Sequence, residues 1–157
     1  IPHMKKGQRV YVDGPYGTFN LADPRMQNGL VLIAGGIGLA PVMSILNTLA
    51  DRGDHRPCYV FYGDLNEDNA LYEDEFARLK DKVNMAFVQV LEKPKDEEYP
   101  YRGYITKEIL LDHLPQNYKE LFYFVCGPAA MLRAIEKHFD AMGIDQSQIH
   151  EENYTMA

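Results

Sequence analysis

Two loops, Gly35-Gly36-Ile37-Gly38-Leu39-Ala40-Pro41 and Cys126-Gly127-Pro128, carry the residues best suited to chemistry in this chain. Each follows a short apolar run that reads as a strand. Each precedes a stretch that reads as a helix. At the carboxyl rim of a parallel sheet, such loops offer bare amides and helix N-termini to a phosphate. Gly35, Gly36 and Gly38 are close enough together to let a diphosphate approach without a Cβ in its way. Pro41 stands at a suitable first helical position. The competing reading is a tight turn that binds nothing, although such a turn rarely needs three glycines. The pattern is neither Gly-x-Gly-x-x-Gly nor a Walker loop, and no Gly-Lys-Ser or Gly-Lys-Thr occurs.

The second loop adds a thiol. Cys126 ends an apolar run just before a helix, where the helix dipole is expected to lower its pKa in part. Hydride transfer needs no nucleophile. It needs two rings in contact within a shielded pocket, and a cysteine is small enough to let them meet. A small buried hydrophobe is the alternative reading. Cys58, at a strand start, reads as packing alone.

Asp64 follows the apolar run Cys58–Tyr62 and Gly63. A carboxylate there can accept hydrogen bonds from an adenosine ribose and would repel a 2′-phosphate. Glu67 and Asp68 are expected to strengthen that field, and no Arg or Lys lies between Gly63 and Phe76. If a dinucleotide binds, NADH is expected over NADPH. A solvated acidic loop that caps the next helix is the alternative. Near the C-terminus, alternation puts Glu152 and Tyr154 on one side of an extended segment, where they could close a pocket. A frayed acidic tail fits the spacing equally. The five histidines form no metal-ligand spacing, and Gly-x-Ser-x-Gly does not occur.

These loops need a scaffold, and the rest of the chain describes one. The 157 residues suffice for one sizeable core, and 46% are hydrophobic. A net charge of -7 without a basic stripe argues against a nucleic-acid partner. No apolar run reaches the ~18 residues that a membrane span requires. A membrane domain elsewhere in a larger protein stays open. Two cysteines make no disulfide framework and are expected reduced, in the cytoplasm or on the cytoplasmic side of a membrane.

Strands are expected at Leu30–Ala34, Cys58–Tyr62, Val83–Leu91, Leu121–Val125 and Ile149–Tyr154, the last at an edge. Helices are expected over residues 41–51, Leu71–Leu79, after a Thr106 N-cap, and over Ala129–Met142 up to Gly143. The polar stretch 92–103 reads as a mobile loop. This alternation predicts an α/β domain: a five-stranded parallel sheet with helices on both faces, Rossmann-like. A flavodoxin or response-regulator arrangement is the alternative. Residues 1–25 differ, with a short strand at Val10-Tyr11-Val12 and turn chemistry from Asp13 to Phe19. They read as the end of a preceding all-β domain, leaving 26–157 as the nucleotide-binding domain.

In this order the motifs resemble the nicotinamide-binding half of the ferredoxin–NADP⁺ reductase superfamily. Gly14-Pro15-Tyr16-Gly17-Thr18-Phe19 resembles the end of that family's flavin domain. Gly35–Pro41 resembles its pyrophosphate loop. Phe61-Tyr62-Gly63, with Leu71-Tyr72 and Glu75-Phe76 beyond, resembles the segment beside the adenosine ribose. Cys126-Gly127-Pro128 with Met131 resembles the nicotinamide-side loop, and Glu152-x-Tyr154 the closing Glu-x-aromatic.

The resemblance implies part of a flavoenzyme in which NAD(P)H passes hydride to FAD, which hands electrons to an acceptor that stays unidentified. It implies that Cys126 lies near nicotinamide C4, that Glu152 helps set the hydride geometry, and that Tyr154 lies near the flavin ring. Pro15, Tyr16 and Gly17 would lie on the cofactor side. This chain carries neither the family's Arg-x-Tyr-Ser/Thr flavin motif nor a cysteine cluster for a [2Fe–2S] centre. The Ser/Arg set of NADPH-specific members has no counterpart after Gly63. The chain therefore reads as a fragment, inactive without its flavin domain, of a larger reductase such as a ferric reductase or NADPH oxidase type. A flavodoxin-like module without redox work, and a cysteine enzyme using Cys126 with His150 as base, are the competing functions.

Overall fold

The computed structural model describes residues 5–11, 13, 19–67 and 73–153. The expectations placed on Val12, Pro15, Tyr16, Gly17, Asp68, Leu71-Tyr72 and Tyr154 fall outside these residues. Five strands, β1 (Leu30–Gly35), β2 (Cys58–Asp64), β3 (Met85–Leu91), β4 (Phe122–Gly127) and β5 (Ile149–Asn153), form one sheet in the order β3-β2-β1-β4-β5. Every pairing is parallel. β1 and β4 are buried along their whole length, which is why both are almost continuously apolar. β5 is an edge strand, as expected.

Alternation along the strands feeds two cores. Leu30, Leu32, Ala34, Val60, Tyr62, Phe122 and Phe124 point to one face, under α1 (Leu39–Arg52) and α2 (Glu73–Leu79). Val31, Ile33, Phe61, Val90, Tyr123 and Val125 point to the other, under α3 (Lys107–His113) and α4 (Ala129–Met142). The helix ends obey local chemistry. Thr106 Oγ1 accepts from the Ile109 amide at 3.3 Å, capping α3. Gly143 closes α4 with φ 68°, a left-handed cap.

Three local expectations are corrected. Val10 and Tyr11 are exposed and belong to no strand. α1 begins at Leu39 after a 3₁₀ turn over Gly36–Gly38, so Pro41 is its third residue rather than its first. The shift costs no hydrogen bond, because amides of the first turn have no acceptor within the helix. The stretch after β3 is not a loose loop. The Leu91 amide donates to the Tyr101 carbonyl at 2.9 Å, and the Gly103 amide donates to the Leu91 carbonyl at 2.8 Å. Tyr99 Oη donates to Gln89 Oε1 at 3.1 Å, and Tyr101 Oη pairs with His113 Nε2 at 2.7 Å. These bonds fold the segment back over the end of β3 and deliver Gly103-Tyr104-Ile105 to the sheet's carboxyl rim.

Candidate functional site

The topology sets where a ligand can sit. β1 leads to β2 on one side, whereas its other neighbour is β4, so successive connections leave the sheet in opposite directions. A crevice opens at the carboxyl ends of strands at such a reversal. A cavity of about 510 Å³ lies there, and its lining includes Gly35, Gly36, Gly63, Asp64, Pro128 and Met131. Residues far apart in the chain thus meet at one rim, as the two-loop reading requires.

The glycines have distinct reasons. Gly36 has φ 52°, and a Cβ there would meet nothing within 4 Å, so its backbone faces open space. Gly35 and Gly38 are packing glycines. A Cβ on Gly35 would overlap Met131 Sδ, and one on Gly38 would overlap the Cys126 carbonyl. Gly38 therefore lets the start of α1 press against β4. Gly127 is similar, with Met131 Sδ 3.1 Å from where its Cβ would stand. Ile37 is 63% exposed at the loop's tip. The Leu39 amide is already bonded to the Gly36 and Ile37 carbonyls, and Pro41 has no amide hydrogen.

Asp64 is held in place. Tyr62, buried behind it, donates its hydroxyl to Asp64 Oδ2, and the Leu65 amide donates to Oδ1 at 2.7 Å. Each carboxylate oxygen keeps a lone pair for a ligand. Glu67 does not join it. Its two oxygens accept from the Lys95 amide, each at 3.1 Å, which turns the carboxylate toward the following loop. Its own backbone amide first, and then the Lys95 amide, hold Glu67 below the usual carboxylate range.

Cys126 and Glu152 stand apart from this cavity. They are register partners on β4 and β5 and so share a face, the one beneath α1. Cys126 is fully buried, and desolvation, aided by the Glu152 carboxylate, pushes its thiol up to about 12. The expected dipole effect is overturned because α4 covers the opposite face and burial dominates. His150 is no base for this thiol. It pairs in register with Phe124 and lies flat on that ring, with centroids 4.8 Å apart and planes at 15°. Among the described residues, no group of three or more His, Cys, Asp or Glu could hold a metal ion.

The lining residues that the sequence does not single out include Glu92, directly after β3, and Tyr104, 72% exposed at the cavity. Glu92 opens the folded-back segment 92–103, and Tyr104 directly follows it. The signal available in the sequence is that Glu92 directly follows a strand expected to end at the same rim as Asp64.

A parallel sheet with a glycine cradle and a fixed carboxylate at its topological switch defines a nucleotide-binding class. The chain belongs to the oxidoreductase NAD-binding domain family, whose pattern matches residues 32–137. It is 30% identical over 151 residues to the toluate 1,2-dioxygenase electron transfer component of Pseudomonas putida, covering 96% of this chain and 44% of that protein. It is 27% identical over 151 residues to NADH-cytochrome b5 reductase 1 of Dictyostelium discoideum, covering 95% and 52%. The crystal structure of a cytochrome P450 reductase from Amycolatopsis superposes with a TM-score of 0.76 at 29% identity, over 91% of this chain and 43% of that one. The chain thus spans about half the length of the relatives it matches. No helix among the described residues is long and apolar enough to cross a membrane.

Proposed function

We propose that this domain holds NAD(H) for a flavin-dependent oxidoreductase, with NADH favoured over NADPH. The observation that carries the reading is the junction of the Gly35-Gly36 cradle and the anchored Asp64 in one cavity. The donor set fits the nucleotide. Loop amides suit a diphosphate, Asp64 suits the ribose hydroxyls, and the exposed Tyr104 ring offers a face to a base. The dinucleotide, when bound, supplies hydride chemistry; this chain orients it.

The catalytic end lies one strand over. Cys126, Glu152 and Tyr154 are proposed to shape the nicotinamide side, with Cys126 as a small buried neighbour rather than a nucleophile. Residues 1–25, including Pro15, Tyr16 and Gly17, are proposed to join a flavin domain carrying FAD, and 26–157 to form the NAD(P)-binding domain. Support comes from the motif order and from relatives about twice as long whose names describe reductases and electron transfer components.

Calorimetric titration of the intact protein with NADH, NADPH and ADP-ribose tests this. Saturable binding of NADH and ADP-ribose is expected. Binding of none of the three, or firm binding of flavin mononucleotide at this rim instead, rejects it.

A further inference from the structure

Tyr104 lines the cavity but is 72% exposed, so its own packing does little to fix its ring. Gly103 before it has φ 96°, and a Cβ there would meet nothing within 4 Å, so no neighbour wedges that turn. The support lies on either side. After Tyr104, Ile105 is buried, and Thr106 caps α3. Before it, Tyr101 is tied twice. Its carbonyl accepts from the Leu91 amide at 2.9 Å, and its hydroxyl pairs at 2.7 Å with Nε2 of His113, the last residue of α3. The two rings also meet edge to face, with centroids 5.2 Å apart and planes at 77°. Phe61 of β2 meets the same imidazole edge-on, at 6.3 Å. The chain thus leaves Tyr101, passes Tyr104, runs along α3 and returns to Tyr101 through His113. A closed ring of backbone and side chains surrounds the exposed aromatic.

We infer that Tyr101 and His113 are a pair of positioning residues that hold the Tyr104 ring ready for the base of the nucleotide. This rests on the nucleotide reading above. Neither Tyr101 nor His113 lines the cavity, so the pair acts through the backbone. The link is short: Arg102 bridges Leu91, and the Gly103 amide donates to the Leu91 carbonyl at 2.8 Å. A ring on a loose segment gives up freedom when a base settles on it. A ring already held gives up less, and the difference appears as affinity. The pair suits that task, because two stiff rings share a half-buried hydrogen bond at a fixed helix end.

Calorimetry with ADP-ribose tests this on the intact protein. The natural chain is compared with Tyr101→Phe, His113→Leu, His113→Gln, Tyr104→Ala and the double variant Tyr101→Phe/Tyr104→Ala. Circular dichroism confirms that each is folded. Tyr101→Phe keeps the ring and removes the hydroxyl, and should weaken ADP-ribose by roughly three- to tenfold. His113→Leu should do the same, whereas His113→Gln, which can still pair with the hydroxyl, should recover most of the affinity. Once Tyr104→Ala has removed the ring, adding Tyr101→Phe should cost nothing more. Hydrogen exchange gives a readout without ligand: the Gly103 amide should exchange faster in Tyr101→Phe, while amides of β1 stay as they were. Full affinity in Tyr101→Phe, or an unchanged Gly103 amide, would overturn the inference. So would an equal loss in the Tyr104→Ala background, since the pair would then support the fold in general. If Tyr104→Ala binds as the natural chain does, this inference fails while the glycine cradle and Asp64 stand. If the natural chain binds no ADP-ribose, the nucleotide reading itself falls and this inference with it.

Discussion

The Tyr62 hydroxyl donates to the Asp64 carboxylate two residues further along β2, so a buried core residue fixes the acid that stands at the cavity's rim. Tyr62 thereby belongs to the site although it does not line it. Its ring packs under α1 and α2 in the core, and only its oxygen reaches the rim. Tyr62→Phe keeps the packing and removes that oxygen. It should cost about 1–2 kcal/mol of stability. It should also weaken ADP-ribose several-fold and loosen discrimination against its 2′-phosphate. Thermal melting and calorimetry measure the two effects, and an unchanged preference would remove Tyr62 from the site.

Gly36 and Gly38 should respond differently to alanine. Gly38→Ala drives a methyl into the Cys126 carbonyl, a backbone atom that cannot rotate away. A loss of about 3 kcal/mol is expected. Gly36→Ala meets open space but keeps a left-handed φ, at a cost of about 1 kcal/mol. It should stay folded and lose nucleotide affinity, because its methyl occupies the approach path. Melting curves that rank the two in the opposite order would contradict the packing role of Gly38.

Both thiols should be inert in the native protein. Cys58 and Cys126 are buried, and desolvation pushes each up to about 12. At neutral pH the thiolate fraction should be more than ~1000-fold below that of a free thiol. Iodoacetamide should label neither until denaturant is added. Rapid native labelling of Cys126 would revive a nucleophilic role for it.

His150 should make the domain acid-sensitive. Its ring lies against Phe124, and its Nε2 is buried without a partner. Desolvation lowers its pKa most; the Asp23 carboxylate opposes this, and Arg25 adds to it. The unfolded chain takes up a proton at this ring below about pH 6.5, whereas the folded chain does so only at lower pH. Stability from this group is therefore present above that value and lost as pH falls from it to the folded pKa. His150→Phe keeps a flat ring and removes the titration. The fall in Tm between about pH 7.5 and about pH 5.5 should be smaller in the variant. An identical fall in both proteins would show that other groups control it.

Strand and helix order was legible because burial leaves a direct mark. β1 and β4 are covered on both faces and so are almost wholly apolar, and α4 ends where Gly143 permits a left-handed turn. The edge position of β5 also followed. The strand expected at Val10-Tyr11-Val12 had only local β-propensity behind it, and among the described residues no strand pairs with Val10 or Tyr11. Glu67 was misjudged as an ally of Asp64 because nearness in the chain does not set where a side chain points. Its partner is an amide 28 residues away.

The sequence alone determined the layered α/β architecture and the two glycine loops, because apolar periodicity and turn residues act over short distances. Tertiary structure decided which of those residues meet. It sent Asp64 and Glu92 to one rim, since adjacent parallel strands end side by side whatever their separation in the chain. It also raised the Cys126 thiol instead of lowering it, since the pleat turned that side chain into a buried face away from α4.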